Sequence, residues 1–332
     1  MSQLFTKSFN EMSHNETLYN EDRRRVLKLS LAAALAGSAG ANLGWSEAAD
    51  SALLVKTIPS SGESLPVIGL GTNNYSPTTP EERETRRAVV AALSSGGASV
   101  IDTAPAYRQS EATLGELMAD IGNRSKIFLA TKVTAASGER SEGEAMLQRS
   151  RERLRSDTLD LVQVHNLMGT ASLLPLLREE KATGQIRYIG VTTSRDSQYP
   201  ELIDIMQRET LDFIQVDYSL GNRTAAETIL PLALDRGMAV LVNLPLGGRR
   251  GSLFAKVKDQ ALPPLAAEIG AGSWAQFFLK YIVSHPAVTC AIPGMTRLSN
   301  LQDNLGAARG ALPDAATRTR MEAWWDTHIG DA

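Results

Sequence analysis

Short segments rich in β-branched and apolar residues alternate with longer segments of helical periodicity along most of this chain, and this alternation limits the folds open to it. Such alternation is typical of α/β proteins in which β-α units build a parallel sheet. Eight units in a single domain predict a (β/α)8 TIM barrel. The strand candidates are residues 67–72, 99–104, 127–133, 159–166, 186–193, 211–219, 238–245 and 287–293.

The helix candidates between these strands often begin at Ser, Thr or an acidic residue, as helix N-termini prefer. A final helix carrying Trp324 and Trp325 is expected to pack against the barrel, and little chain follows it to cover the barrel mouth. An open site is therefore expected. The helix candidates include residues 81–95, 110–121, 142–155, 225–236, 273–284 and 314–328.

A doubly wound dinucleotide-binding fold is the main alternative to the barrel. In that fold the first strand is normally followed by G-x-G-x-x-G at the start of a helix. Residues 69–74 read G-L-G-T-N-N, so the third glycine is absent, and no helix is predicted to begin there. The sequence therefore favours the barrel, with a short hairpin turning at residues 60–62 ahead of it.

Composition argues against several classes of function. The 332 residues include 34 lysines and arginines and 37 aspartates and glutamates, and the resulting net charge of −3 gives no basic face for nucleic acid. The single cysteine, Cys290, cannot form an intrachain disulfide and lies in an apolar stretch that predicts a core position. The four histidines are scattered and H-E-x-x-H does not occur, so no metal site is predicted.

The first 49 residues are predicted to be a transport signal and linker, and the barrel is expected to span residues 50–332. Residues 22–28 read D-R-R-R-V-L-K and lead into a run of Leu, Ala and other small residues. This run is shorter than the roughly 20 apolar residues of a stable membrane span. The segment resembles a twin-arginine (Tat) signal peptide, with a basic amphipathic helix or a membrane anchor as alternatives. Cleavage is expected after Ala41 or Ala49, and export by the Tat translocation machinery would make the protein periplasmic.

Polar residues at the carboxyl ends of barrel strands converge on one mouth, where barrel enzymes place their active sites. The second strand candidate runs into I-D-T-A-P-A-Y-R-Q-S-E, with Asp102 and Tyr107. The third ends L-A-T-K-V with Lys132, and the fourth ends V-Q-V-H-N with His165. Each residue alone has an ordinary structural explanation, such as a turn acceptor or a core histidine. Their joint placement predicts a catalytic site.

These motifs, D-T-A-P-A-Y-R-Q-S-E-A-T-L-G, A-T-K and L-V-Q-V-H, resemble those of the aldo-keto reductase family, and the resemblance extends over nearly all of residues 54–309. In that family an Asp, a Tyr, a Lys and a His at these four places form a catalytic tetrad. The resemblance implies an oxidoreductase that transfers hydride between a nicotinamide cofactor and an aldehyde, ketone or sugar carbonyl, or the corresponding alcohol. Tyr107 would be its general acid/base.

The chemistry explains why these four residue types are needed together. Hydride addition to a carbonyl carbon leaves negative charge on the oxygen, which must be protonated. Tyrosine, with a free pKa of about 10, is a reluctant donor at neutral pH unless a cation stabilises the phenolate. Lys132 would supply that cation, and Asp102 would keep it charged and in place. His165 would orient the carbonyl oxygen through a hydrogen bond.

The resemblance also assigns a cofactor site, because the family binds nicotinamide nucleotide across the barrel mouth without a Rossmann motif. Thr193 and Asn243 depart from the family, which has an asparagine and a nicotinamide-stacking aromatic at those places. Arg297 would pair with a 2′-phosphate, which favours NADP(H) over NAD(H). The residues at matching positions are Gly71, Thr72, Thr192, Thr193, Gln215, Leu246, Arg297 and Asn304.

Two functions remain open on the sequence. One is an exported NADP-dependent reductase or dehydrogenase acting on a small-molecule carbonyl or alcohol, and the other is a nucleotide-binding, redox-sensing regulator on the same barrel. The intact tetrad favours the enzyme. The loops that select substrate vary freely among relatives, so the sequence predicts neither the physiological substrate nor the oligomeric state.

Overall fold

The structure is a computed structural model that describes residues 52–330. The predicted signal segment, residues 1–49, lies outside the described residues. The barrel is preceded by a hairpin of two antiparallel strands, β1 (Val55–Thr57) and β2 (Ser64–Pro66). Gly62 turns this hairpin with a φ of 77°, a conformation that favours glycine. The predicted hairpin is thereby confirmed.

Eight parallel strands follow the hairpin, and strands adjacent in sequence are hydrogen-bonded neighbours in the sheet. Each predicted strand contains one of them, although the observed strands are shorter than predicted. The eight-unit prediction is confirmed. The strands are β3 (Leu70–Gly71), β4 (Val100–Asp102), β5 (Phe128–Val133), β6 (Leu159–His165), β7 (Ile186–Thr192), β8 (Phe213–Asp217), β9 (Ala239–Asn243) and β10 (Val288–Ala291).

The sheet closes on itself because its first and last strands also bond to each other. Parallel bridges join Ile68 to Ala291 and Gly71 to Gly294. The amide of Gly69 donates a hydrogen bond of 2.9 Å to the carbonyl oxygen of Ala291. Closure pairs the edges that an open sheet would expose and brings the carboxyl ends of all eight strands around one mouth.

Helices lie between the strands, and several begin at the capping residues expected from the sequence. The hydroxyl groups of Thr79 and Ser273 and the carboxylate of Asp314 each accept an amide hydrogen bond at a helix start. None of the helices within residues 52–330 has both the length and the apolarity to cross a membrane. The helices are α1 (Pro80–Ser95), α2 (Ser110–Ile121), α3 (Arg140–Leu154), α4 (Thr170–Ala182), α5 (Tyr199–Arg208), α6 (Ile229–Asp235), α7 (Leu253–Lys256), α8 (Pro264–Glu268), α9 (Trp274–Val283), α10 (Leu298–Gly306) and α11 (Ala315–His328).

The structure divides one predicted helix and confirms the predicted positions of the final helix and of Cys290. The predicted helix over residues 225–236 is divided, because a 3-10 turn at Thr224–Ala226 precedes the shorter α6. The final helix packs on the barrel through the buried Trp325, as predicted. Cys290 is a buried free thiol, which confirms its predicted core position.

The barrel interior is apolar towards the amino ends of the strands and polar at their carboxyl ends. The hairpin residues Ile58 and Leu65 belong to the apolar cluster inside the barrel. Because side chains alternate between the two faces of a strand, the residues two or four positions further along share the inward face. The apolar layer includes Val100, Phe128, Leu161, Tyr188, Phe213, Ala239 and Cys290. The inward positions above it are Asp102, Lys132, Gln163, His165, Thr192, Gln215 and Asn243.

Gly115 of α2 lies where α2 packs closely against α3, so substituting it tests this packing. A Cβ atom at this position would lie 2.0 Å from the carbonyl oxygen of Arg153 in α3. Alanine normally stabilises a helix interior relative to glycine, by about 0.8–1 kcal/mol. We expect Gly115→Ala instead to lower the free energy of unfolding by about 1–3 kcal/mol, because the backbone clash outweighs helix propensity. Urea denaturation followed by circular dichroism measures the change.

Gly272→Ala is the matched control for this substitution. A Cβ atom at Gly272 would meet no atom closer than the Gln276 side chain at 3.6 Å. This variant should unfold at nearly the same urea concentration as the wild type. A Gly115→Ala protein as stable as the control would show that α2 and α3 are not in close contact in solution.

Candidate active site

A buried ion pair joins β4 and β5 at the carboxyl end of the barrel. Nζ of Lys132 donates hydrogen bonds to Oδ2 of Asp102 at 2.7 Å and to the carbonyl oxygen of Thr103 at 2.8 Å. Each charged side chain is 2% exposed. Burial raises the pKa of Asp102, and Lys132 opposes that shift. Burial also opposes protonation of Lys132, but Asp102 and Tyr107 outweigh it and raise the pKa, so Lys132 is held as an ammonium.

Tyr107 lies half-buried in the loop after β4, beside this ion pair. Its ring centroid is 5.1 Å from Nζ of Lys132 and 6.1 Å from the ring centroid of His165, with the two rings at 89°. The loop is held by the Tyr107 amide, which donates to the carbonyl oxygen of Ala104 at 3.0 Å. The structure therefore brings the four predicted tetrad residues together at one mouth.

His165, the last residue of β6, is neutral at physiological pH. Burial lowers its pKa to about 3, and the charges of Lys132 and Arg195 contribute to the same shift. A neutral imidazole has one ring nitrogen that donates a hydrogen bond and one that accepts. His165 can therefore donate a hydrogen bond to an oxygen at the mouth without adding a positive charge.

Three residues at the mouth are each followed by a residue in the left-handed backbone conformation, which has a positive φ. A left-handed conformation costs a residue with a side chain roughly 1–2 kcal/mol, although asparagine adopts it more readily. Such residues cluster at functional sites, where the surrounding structure enforces them. The chain thus turns away immediately after each site residue. The pairs are Tyr107 with Arg108 (φ 55°), His165 with Asn166 (φ 53°), and Asn243 with Leu244 (φ 47°).

A cavity of about 210 Å³, termed the loop cavity, lies beside the tetrad under the loop that follows β9. Asn243 lines it, and its Nδ2 donates to the carbonyl oxygen of Thr193 at 3.2 Å. Its Oδ1 is buried without a hydrogen-bond partner among the described residues. A buried acceptor of this kind suits the amide group of a ligand. The predicted site residues that line the loop cavity are Asp102, Tyr107, Gly71, Thr72, Gln215 and Leu246.

Thr192 and Gln215 lie side by side in the sheet. Thr192 pairs in register with His165 on one side and with Gln215 on the other. Oε1 of Gln215 accepts a hydrogen bond of 3.1 Å from Nε2 of Gln163 inside the barrel. This contact fixes the Gln215 side chain next to the ion pair. Thr192 is buried beside the tetrad but does not line the loop cavity.

Two other predicted cofactor residues use their hydroxyl groups within the protein. The Thr72 hydroxyl donates to the backbone carbonyl oxygen of Asp102 at 2.8 Å. The Thr193 hydroxyl donates to Oε1 of Gln198 at 2.6 Å and accepts from the amide of Arg195 at 3.1 Å. Both residues are fully buried, and their hydroxyls order the strand ends around the mouth.

Arg297 and Asn304, predicted to contact the adenosine end of the cofactor, both belong to the α10 region. Arg297 is the exposed residue before α10, and Asn304 lies on the buried face of that helix. Neither lines the loop cavity, which includes Gly294 and Thr296 on this side. The structure therefore places these two residues beyond the cavity rather than next to the tetrad.

Arg250 anchors the loop after β9, a role that sequence reasoning did not assign. Its guanidinium donates to the buried carboxylate of Asp217 and forms a two-point contact with Asp196. Gly247 and Gly251, with φ of 96° and 93°, form the turns on either side of it. The loop that covers the loop cavity is thus fastened to β8 and to the segment after β7.

A second cavity of about 290 Å³ lies on the other side of the tetrad, and Lys132 and His165 line it. Arg149 and Arg153 of α3 also line this cavity, which we term the arginine cavity. Sequence reasoning missed both arginines, because charged residues along a helix normally indicate a solvent-exposed face.

Within residues 52–330, no group of three or more His, Cys, Asp or Glu side chains is arranged to hold a metal ion.

The ion pair can be tested by a double-mutant cycle. Asp102→Asn leaves the Lys132 ammonium buried without its counter-charge, which should lower the free energy of unfolding by about 3–5 kcal/mol. Adding Lys132→Met removes the stranded charge, so the double variant should regain much of that stability. Urea unfolding of the four proteins at neutral pH gives the coupling energy.

The exposed pair of Arg208 and Asp204 supplies the control. Its side chains are 64% and 57% exposed, so Asp204→Asn should change stability by less than about 1 kcal/mol. Strictly additive effects of Asp102→Asn and Lys132→Met would contradict the assigned interaction.

Comparison with known proteins gives the family. Residues 67–323 match the model of the Aldo/keto reductase family. Methylglyoxal reductase YeaE of Escherichia coli K12 is 31% identical over 268 residues, which are 78% of this chain and 92% of that protein. An aldo-keto reductase of Klebsiella pneumoniae, solved in complex with NADPH, superposes with a TM-score of 0.68 at 22% identity, covering 85% of this chain and 97% of that one.

A second solved structure supports the same fold. The holo form of aldo-keto reductase AKR11C1 from Bacillus halodurans has a TM-score of 0.67 at 22% identity and covers 82% of this chain and 96% of that chain. The matches confirm the predicted family, its barrel fold and the oxidoreductase class. This chain belongs to the aldo/keto reductase family.

Proposed function

We propose that this protein is an NADP(H)-dependent oxidoreductase that reduces an aldehyde, ketone or sugar carbonyl, or oxidises the corresponding alcohol. One observation carries the proposal: Tyr107 lies beside a buried ammonium whose charge Asp102 maintains. Membership of the aldo/keto reductase family supports the reaction class. The relative named as a methylglyoxal reductase supports a carbonyl substrate, and the neighbour solved with NADPH supports the cofactor.

The residues around the loop cavity fit a nicotinamide nucleotide. The amide of Asn243 presents a buried, unpaired Oδ1, and Gln215 lies in the same cavity. These two side chains would hold the carboxamide of the nicotinamide ring, with Asn243 taking the place of the aromatic residue that other family members stack on the ring. When bound, NADPH supplies the hydride for the reduction.

The protein's own residues then control the proton. The Tyr107 hydroxyl donates its proton to the carbonyl oxygen as negative charge develops there. The Lys132 ammonium stabilises the phenolate that remains, and Asp102 keeps the ammonium from losing its own proton inside the barrel. The neutral His165 donates a ring N–H to the same oxygen and so fixes the direction of the carbonyl. Alcohol oxidation uses the same groups in reverse.

Removing the Tyr107 hydroxyl tests the proton-transfer role. We expect Tyr107→Phe to lower kcat by about 10²–10⁴-fold, the usual contribution of a positioned general acid. NADPH should bind with nearly unchanged affinity, because the substitution removes neither Asn243 nor Gln215. Steady-state reduction of a panel of aldehydes and ketones, together with a fluorescence titration of NADPH, measures both quantities.

Tyr188→Phe is the matched control. The Tyr188 hydroxyl contacts Ser61 and Glu63 of the hairpin, away from the carboxyl ends of the strands, so its removal should leave kcat unchanged. A Tyr107→Phe enzyme with wild-type kcat would contradict the assignment. If the wild type bound NADPH tightly yet turned over no carbonyl or alcohol, the regulator function would replace the enzymatic one.

We also propose that the protein is exported to the periplasm by the twin-arginine route. The proposal rests on the D-R-R-R-V-L-K motif at residues 22–28, the apolar run after it and the small residues near Ala41 and Ala49. Tat transport moves folded proteins, which would allow the nucleotide to be bound before export. The single cysteine is compatible with folding in a reducing compartment.

Cell fractionation tests this route on the chain that includes residues 1–49. Replacing both Arg23 and Arg24 by lysine keeps the charge but removes the arginine pair, and the protein should then remain in the cytoplasm. Arg25→Lys leaves that pair intact and should be exported like the wild type. Equal periplasmic amounts of the wild type and the Arg23→Lys/Arg24→Lys variant would contradict Tat export.

A further inference from the structure

Two tetrad residues line the arginine cavity, and the other two line the loop cavity, which is a separate space. Lys132 and His165 line the arginine cavity, whereas Asp102 and Tyr107 line the loop cavity. The tetrad therefore lies between two spaces. With the nucleotide assigned to the loop cavity, the arginine cavity is the remaining space that borders His165, the proposed hydrogen-bond donor to the carbonyl oxygen.

One face of α3 supplies the positive charge in this space. Met146, Arg149 and Arg153 are spaced three and four residues apart, so their side chains emerge on the same side of the helix. All three line the arginine cavity. The core-facing positions of the same helix are Gly143, Leu147, Ser150 and Leu154. Arg149 and Arg153 are exposed residues that lie next to this buried face and line the cavity.

The arginines of α3 differ in how their charges are balanced. Arg140 forms ion pairs with Glu144 and Glu179. Arg151 pairs with Glu180. Arg149 has no ion pair or side-chain hydrogen bond with any residue in the range 52–330, although it lines the cavity.

Arg153 has a partial counter-charge. Its guanidinium lies 3.5 Å from the buried carboxylate of Glu111, which also accepts a hydrogen bond of 2.7 Å from the Thr131 hydroxyl. Arg149 is therefore the cation most available to a ligand, and Arg153 adds a weaker charge beside it. Like charges four residues apart destabilise a helix by roughly 0.2–0.5 kcal/mol, so a bound anion would relieve this repulsion.

We propose that the arginine cavity binds a carboxylate carried by the carbonyl substrate, with Arg149 as its principal contact. The inference rests on the proposed function and names the substrate class: aldehydes or ketones that bear a carboxylate. The forked donors of arginine bind a carboxylate at two points, which fixes orientation as well as affinity. The chemistry at the carbonyl is unchanged, because hydride adds to carbon, the Tyr107 proton goes to oxygen and the carboxylate does not react.

Matched pairs of substrates test the proposal. The carboxylates are 3- and 4-carboxybenzaldehyde, and the neutral partners are the corresponding carbamoylbenzaldehydes, which have nearly the same shape. We expect the wild type to favour the carboxylates by at least about tenfold in kcat/KM, the effect of one charge-assisted hydrogen bond. In Arg149→Met this preference should fall by about tenfold through KM, while the neutral substrates change by less than about twofold.

Two further proteins complete the design. Arg149→Met/Arg153→Met should abolish the remaining preference. Arg155→Gln removes the same charge just beyond α3, at a residue that does not line the cavity, and should behave like the wild type. Unchanged turnover of the neutral substrates shows that each variant is folded. No preference in the wild type, or an unchanged preference in Arg149→Met, would overturn the inference.

A binding measurement separates this inference from the proposed function. Calorimetry on the NADP⁺-loaded protein should show 4-(hydroxymethyl)benzoate binding at least about tenfold more tightly to the wild type than to Arg149→Met. If no carbonyl were reduced but this difference persisted, the cavity assignment would stand while the enzymatic function failed. If the neutral aldehydes were reduced but both proteins bound the benzoate equally, the enzymatic function would stand and the cavity assignment would fail.

Discussion

The ion pair of Lys132 and Asp102 is the interaction on which the site depends. An ammonium confined inside a barrel tends to lose its proton unless a carboxylate is buried with it. Removing two charges from water costs several kcal/mol per ion, and the neighbouring carboxylate and the carbonyl oxygen of Thr103 offset that cost only when the strand register is correct. The closed parallel barrel supplies that register. The fold thus keeps Lys132 positively charged beside Tyr107, where the ammonium can stabilise a phenolate.

The division of the barrel interior explains why the site lies where it does. The apolar layer around Phe128, Tyr188 and Phe213 excludes water from below, so the polar layer above it has access to solvent and ligand from one direction only. The tetrad sits between the loop cavity and the arginine cavity. A nucleotide in one cavity and a carbonyl substrate in the other could therefore meet at the tetrad, where hydride transfer requires them to be in contact.

The sequence predicted the eight strands, the family and four tetrad residues that the structure brings together, because short β-branched, apolar runs and strand-end motifs are local features. It overestimated strand lengths, since apolar residues extend beyond the regular ladder, as at residues 67–69 ahead of the two-residue β3. It could not show that Asn243 leaves an acceptor unpaired or that Arg149 lacks a counter-charge. Both depend on which distant side chains the closed barrel brings near. Thr193 shows the same limit, because its hydroxyl bonds Gln198 within the next turn.

A residue in the left-handed conformation directly follows each of Tyr107, His165 and Asn243, at the boundary between the site and the loop beyond it. His165 and Asn243 are the last residues of their strands, Tyr107 lies in the loop after β4, and the residue after each of them has a positive φ. We expect that a loop joined after such a residue can vary in length and composition without displacing the strand end. In protein engineering terms, the position after His165 is a natural graft point, whereas the loop after Asn243 carries Leu246 of the loop cavity and has to be kept.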